Sequence, residues 1–246
     1  MTGLKKIIFF DIDKTLVDED YNYQDGLYVI EELKKQAVEV ILNSSKTRFE
    51  QEYYRKIFGL NTPFIVENGS AVYIPAEYFD DINSLKRDEY HVLELGTPYK
   101  TIVKHLKAIE KTFGLKYYAN STLEEVMNFL GMNKKLAELA MKREYSETIF
   151  RYKNIGFQDV LREKGLTCQM GSRFVAVLGK TNKGKGMETL LNFYRKKFPN
   201  IEVYAAGDGE NDFPMFELAD KSFLLGNKEY PGAIKIPNIK ELLNFI

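Results

Sequence analysis

The chain has no tryptophan, one cysteine and two histidines among its 246 residues. A single thiol, Cys168, excludes an internal disulfide and any multi-cysteine metal site, and no neighbour in sequence would activate it. His91 and His105 stand apart with no ligand pattern around either, so both are expected to be structural or surface residues. An excess of charge is also missing. The 35 basic and 35 acidic side chains balance, so no overall field draws the chain to nucleic acid or to an anionic membrane. Long apolar runs are absent as well. No stretch approaches the length of a membrane span. Two lysines near the N-terminus precede only a four-residue apolar run, Ile7 to Phe10, which is too short for a secretory signal. The expectation is a cytoplasmic protein with neither a nucleic-acid nor a membrane partner, and with no repeat or low-complexity tract.

What is present is an ordinary globular composition, 44% hydrophobic and 28% charged, in a chain long enough for one large domain or two smaller ones. Ile7-Ile8-Phe9-Phe10 reads as a buried strand because it is short and stops at charge. Leu27, Ile30 and Leu33 recur at helical spacing, Val38 to Leu42 is a second strand, and Arg48 to Phe58 a helix. Phe64 to Val66 and Ala71 to Ile74 follow as strands. The same alternation returns late, with a helix over Gly186 to Lys197, a strand at Ile201 to Ala205, a helix over Pro214 to Leu218 and a strand at Ser222 to Leu225. Strand–helix–strand grammar predicts an α/β class fold, a Rossmann-like parallel-sheet core with right-handed crossovers. The middle mixes strands and helices differently. A hairpin turn at Met170-Gly171-Ser172-Arg173 signals antiparallel pairing there. The organisation expected is a core from 1–80 and 180–246, interrupted by an inserted α+β cap over 81–179.

Chemistry gathers at the strand ends, where open α/β sheets place their ligands. The first strand ends in Asp11-Ile12-Asp13-Lys14-Thr15, and two acids held this close need a cation or a shared proton. Mg²⁺ suits them, because it takes a few carboxylate oxygens and keeps waters or phosphate oxygens for the rest. Alone, the pair reads as a turn in which Asp caps the next helix. The second strand ends at Asn43-Ser44-Ser45-Lys46-Thr47, which is either an oxyanion seat or an ordinary helix N-cap. Gly179 to Gly186 nearly spells a phosphate-binding P-loop, but Gly186 stands where a Ser or Thr must ligand the metal. Its useful content is a lysine-rich loop opening a helix, able to carry an ammonium to a phosphate. Gly207-Asp208-Gly209-Glu210-Asn211-Asp212 packs three acids and an amide into a glycine-bent turn, a hard-oxygen site.

The order DxDxT, Ser, Lys, GDxxND, each at a strand end, resembles the haloacid dehalogenase superfamily of phosphotransferases, and the middle falls where that superfamily inserts a C2-type cap. The resemblance implies that Asp11 is the nucleophile forming an aspartyl-phosphate. It makes Asp13 the acid that protonates the leaving alcohol and later the base that deprotonates water. Ser44 and Lys183 would hold phosphoryl oxygens, with Ser45 the alternative hydroxyl, and Lys180 and Lys185 less suited than Lys183. Mg²⁺ would lie among Asp11, the Asp13 carbonyl and Asp208, with Asp212 completing or orienting the shell.

Finer motifs resemble the mannosyl-3-phosphoglycerate phosphatase family within that superfamily. They are Ser44-Ser45-Lys46-Thr47-Arg48 with Glu50, Glu67-Asn68-Gly69-Ser70, Arg143-Glu144-Tyr145-Ser146-Glu147 and Gly171-Ser172-Arg173-Phe174. The resemblance implies a Mg²⁺-dependent phosphoric monoester hydrolase that acts on a small phosphorylated sugar, releasing mannosylglycerate, a compatible solute. In its cap, Arg143 and Arg173 could fork onto the glycerate carboxylate, and Glu144, Ser146 or Glu147 could accept sugar hydroxyls. The rival readings are a phosphatase for glucosyl-3-phosphoglycerate or sucrose 6-phosphate, a phosphomannomutase-like phosphotransferase, and a binding module that kept the fold without the chemistry.

Overall fold

A computed structural model describes residues 3–80, 82–171 and 173–246. Ser172, part of the expected hairpin turn, lies outside the described residues. The chain opens with strand β1 (Lys5–Phe10), helix α1 (Gln24–Lys35), β2 (Glu39–Asn43), α2 (Arg48–Ile57) and β3 (Phe64–Val66), and β1, β2 and β3 pair in parallel. β4 (Ala71–Pro75), β5 (Leu85–Arg87) and β6 (Tyr90–Glu94) then turn back as an antiparallel edge of the same sheet.

The cap follows, with α3 (Tyr99–Phe113), β7 (Lys116–Tyr117), α4 (Leu123–Leu130), α5 (Lys134–Ala140), β8 (Ser146–Arg151), α6 (Phe157–Glu163), β9 (Thr167–Met170) and β10 (Val175–Leu178). The chain returns to the core through α7 (Lys183–Lys197), β11 (Ile201–Gly207), α8 (Phe213–Phe216), β12 (Lys221–Leu224) and β13 (Ile234–Lys235). The result is a nine-stranded sheet in the order β13-β12-β11-β1-β2-β3-β4-β6-β5 and a four-stranded antiparallel cap sheet in the order β7-β8-β10-β9.

The position of β1 explains the apolar run Ile7 to Phe10 that follows its two lysines. Ile8 and Phe10 pack with the α1 and α2 side, Ile7 and Phe9 with the α7 and α8 side, and all four are wholly enclosed. A central parallel strand covered on both faces has no polar face to show. In the cap, by contrast, β10 alternates. Val175 and Val177 point into a core with Ile102, Leu106, Phe157 and Leu161, while Phe174 and Ala176 turn to the other face, towards the catalytic core.

One expected boundary moves. Tyr90–Glu94 is hydrogen-bonded to Ala71–Pro75, so the residues just after 81 extend the core sheet and do not begin the cap. The two crossings lie side by side near Gly96 and Gly179, where a Cβ on Gly179 would stand 2.7 Å from the Thr97 backbone nitrogen. The short strands β5 and β13 had no sequence signal, since edge pieces of this length bury too little to impose a period.

Helix α7 begins at Lys183, not at Gly186, because its glycines serve packing. A Cβ on Gly186 would stand 2.5 Å from Ile65 Cγ2, and one on Gly184 would stand 2.4 Å from the Pro214 carbonyl. A hydroxyl side chain of the kind a P-loop needs would not fit at 186. Opposite it, Gly69 has φ +82°, and a Cβ there would lie 1.8 Å from the Asn182 carbonyl oxygen. Gly69→Ala combines a strained backbone with a clash against rigid backbone, so it should cost about 1–3 kcal/mol of unfolding free energy. A urea titration with an unchanged slope and a lower midpoint checks this.

Candidate active site

Asp11 extends directly from β1 and hydrogen-bonds the Ala206 carbonyl through its N–H, which continues the parallel ladder to β11. Its carboxylate is nearly enclosed. The Ile12 N–H donates to Oδ1 at 2.7 Å, and Lys183 Nζ stands 2.9 Å from the same oxygen. After it the chain turns tightly through Lys14, whose φ of +57° is unusual for a side chain with a Cβ. That turn leaves Asp13 facing the cleft, its side chain 43% exposed.

Lys183 is wholly enclosed and lies between two acids, with Asp212 Oδ1 at 2.5 Å on its other side. Burial disfavours its ammonium, but Asp11 and Asp212 hold its pKa above the ordinary lysine range. The second Asp212 oxygen accepts the N–H groups of Asp208 and Gly209, each at 3.0 Å. Both Asp212 oxygens are therefore committed within the protein. Gly207 must be glycine here, because a Cβ would reach within 2.3 Å of the Asp212 carboxylate.

Asp11, Asp208 and Asp212 each bring a carboxylate oxygen within 4.8 Å of the others. Burial, followed by the charges of Asp11 and Asp212, pushes the Asp208 carboxyl up to about 7. Carboxylate oxygens crowded this closely are hard donors that fit a divalent cation between them. Asp13 is not in that trio. It lines the cleft and pairs with Lys46 Nζ at 2.9 Å. Desolvation raises the pKa of Asp13, Lys46 pulls it down, and Asp11 pushes it up again, with a net rise.

Lys46 is a participant that the sequence reading left without a role. It is 3% exposed and bridges Asp13 to Glu50, which lies 3.4 Å away on α2. Its i,i+4 relation to Glu50 and its place in the Ser44–Arg48 motif were the signals available. Glu50 also closes a capping box with Thr47, so the N-cap of α2 is Thr47, and both neighbouring serines are left out of it. Ser44 is wholly enclosed, its Oγ taking only a 3.5 Å contact from the Lys46 N–H, whereas Ser45 lines the cleft.

The cleft measures about 530 Å³ and lies between the core strand ends and the cap sheet. The cap residues singled out from sequence divide. Arg173 reaches it from the hairpin, fixed by a 2.7 Å hydrogen bond to the Phe129 carbonyl. Arg143 lines it too, but donates to the Ser45 carbonyl at 2.8 Å and to Ser146 Oγ at 2.9 Å. Ser146 is corrected as a sugar contact. It is 1% exposed, and its hydroxyl donates to Glu67 at 2.7 Å. Glu144 turns away to Tyr73 and Arg87, and Glu147 is sealed beneath Tyr99 and the Tyr118 and Ala119 N–H groups. A core carboxylate, Glu67, takes the N–H groups of Glu144 and Tyr145 as well, so this segment is a latch between cap and core.

A phosphotransferase-type hydrolase is the class that this sheet, these strand-end acids and this cap define, and a family model of haloacid dehalogenase-like hydrolases matches residues 8–231. A mannosyl-3-phosphoglycerate phosphatase of Pyrococcus furiosus is 50% identical over 242 residues, 98% of this chain and 99% of the relative. A glucosyl-3-phosphoglycerate/mannosyl-3-phosphoglycerate phosphatase of Persephonella marina is 31% identical over 93% of this chain and 90% of its own. Among solved structures, a haloacid dehalogenase-like hydrolase of Bacteroides thetaiotaomicron superposes with a TM-score of 0.74 at 16% identity, covering 98% of both chains. The chain belongs to the mannosyl-3-phosphoglycerate phosphatase family of the haloacid dehalogenase-like hydrolases. No helix among the described residues is long and apolar enough to cross a membrane.

Glu67 and Arg143 form a buried pair, 0% and 6% exposed, with 3.6 Å between them. Glu67→Gln removes the charge opposite Arg143 and sets an amide donor against existing donors. Breaking one side of such a pair should cost about 3–5 kcal/mol, read as a lowered midpoint in urea unfolding.

Proposed function

We propose that this chain is a Mg²⁺-dependent phosphatase that hydrolyses mannosyl-3-phosphoglycerate to mannosylglycerate and phosphate, acting in the cytoplasm. The observation that carries the reading is a buried lysine clamped between Asp11 and Asp212, directly behind the Asp11 carboxylate that lines a cleft between cap and core. Asp11 attacks phosphorus through a carboxylate oxygen, and the bond from phosphorus to the glycerate oxygen breaks. Lys183 and the Ile12 N–H hold the Asp11 carboxylate in one orientation, so attack needs little rearrangement.

Asp13 gives its proton to the departing alkoxide. Its raised pKa keeps that proton on the carboxyl to higher pH than an ordinary aspartate would, as a general acid requires. Water then attacks the aspartyl-phosphate, Asp13 takes the water's proton, and phosphate leaves with Asp11 restored. Lys183 and a serine hydroxyl hold phosphoryl oxygens, and of the two candidate serines Ser45 lines the cleft while Ser44 is enclosed. A metal bound by Asp11, the Asp13 carbonyl and Asp208 would offset the repulsion between a carboxylate nucleophile and a phosphate dianion. Asp212, its oxygens already engaged, orients Asp208 and Lys183. Arg173 is the cap cation available to the glycerate carboxylate.

Phosphate release from mannosyl-3-phosphoglycerate, followed with and without EDTA, tests the reading. Activity should disappear with the chelator and return with excess Mg²⁺. The added Mg²⁺ should also raise the melting temperature, since a ligand held only by the folded acids stabilises them. Asp11→Asn should fold, by circular dichroism, and release no phosphate above background. Turnover retained by that variant would remove the nucleophile assignment. The name of the Persephonella relative favours glucosyl-3-phosphoglycerate as a second substrate, to be compared under the same conditions.

A further inference from the structure

We propose that one rung of the cap sheet, Thr148–Ala176–Gln169, seats the sugar ring, and that Gln169 is a specificity-determining residue for it. The proposal deepens the phosphatase reading and rests on it. Ala176 on β10 pairs directly with Thr148 on β8 to one side and with Gln169 on β9 to the other. Directly opposed residues of antiparallel strands share a face. All three line the cleft, on the wall facing Asp11 and Asp13.

The middle position is the smallest, so the rung is a shallow notch between two polar side chains. Gln169 Oε1 is buried and has no hydrogen-bond partner among the described residues. An unpaired buried acceptor is costly and uncommon in a native fold, and a turn of the carboxamide towards the cleft would let a ligand donate to it. A carboxamide offers both an acceptor and donors, which matches the hydroxyls of a sugar.

Charge divides the cleft in the same sense. Lys14 and Lys46 stand on the core side with Asp11, Asp13 and Asp208, and the cap cations Arg143 and Arg173 stand before β8 and at the hairpin. Phosphate and carboxylate find cations there. The rung carries no charge, which suits the neutral end of a glycosyl-phosphoglycerate. Ser146 and Glu147, whose side chains are turned into the protein, cannot supply this contact.

The experiment compares kcat/KM for mannosyl-3-phosphoglycerate with kcat/KM for p-nitrophenyl phosphate, which has no sugar, in each variant. For Gln169→Ala the ratio should fall about fivefold to tenfold, mainly through KM for the glycosyl substrate. Gln169→Glu, which keeps an acceptor, should retain more of the ratio than Gln169→Ala. Ala176→Leu, which fills the notch from a cleft-facing position, should lower the ratio at least as far. A ratio in Gln169→Ala within twofold of wild type, with wild type active on both substrates, overturns the rung and leaves the phosphatase reading standing. Wild type that cleaves p-nitrophenyl phosphate but not mannosyl-3-phosphoglycerate overturns the substrate reading and the rung with it.

Discussion

A lysine ammonium with no access to solvent, Lys183 Nζ, stands 2.9 Å from Asp11 and 2.5 Å from Asp212, and most of the catalytic core is arranged so that it can stay charged there. Removing an ammonium from water is expensive unless opposite charges and hydrogen bonds replace the lost hydration. Asp11 and Asp212 supply the charge. The glycines supply the approach. Gly69 and Gly186 let the start of α7 press against the turn after β3, and Gly184 lets the same helix meet Pro214. Asn43, at the end of β2, donates to the Lys183 carbonyl at 3.0 Å, which ties three strand ends to one helix start. With Asp212 committed to Lys183 and to two backbone N–H groups, Asp208 becomes the acid with a carboxylate to spare.

A second buried pair joins cap to core. Glu67 and Asn68 both adopt left-handed backbone, with φ of +48° and +57°, and this turn aims the Glu67 carboxylate at the cap segment 144–146. Arg143, beside that carboxylate, reaches back to the Ser45 carbonyl. The cap position is thereby coupled to the loop that carries the two candidate phosphate hydroxyls. Arg143 touches both the Glu67 carboxylate and the Ser45 carbonyl. Lys46, next in the chain, passes the same loop's position to Asp13.

Much of the core was legible from periodicity. Each of the parallel strands β1, β2, β3, β11 and β12 carries a short apolar run bounded by polar residues, as a strand covered on both faces favours. The cap helices were equally plain, with Ile102 and Leu106 or Phe157 and Leu161 four residues apart on one buried face. The start of α7 was not legible, because glycine disfavours helix locally and only contact with Ile65 and Gly69 justifies it. The boundary near 81 failed for a related reason: pairing of β6 with β4 is a long-range choice that local composition does not record.

The site shows the same division. Asp11, Asp13, Lys183, Asp208 and Asp212 could be singled out in sequence by their order at strand ends, and the fold brings Asp11, Asp208 and Asp212 together with Lys183 between Asp11 and Asp212. Sequence also carried the family, through motifs spread over core and cap. Only the tertiary structure decided how those charges pair. It gave Lys183 to Asp11 and Asp212, Lys46 to Asp13, and Arg143 with Ser146 to Glu67, where a list of charged residues allowed many other matches. It also brought Gln169 into a rung with Thr148 and Ala176. Periodicity and spacing report which face a residue takes within its own element. Which partner it meets depends on how strands far apart in sequence align, and that is settled only when the two sheets and their glycine contacts pack together.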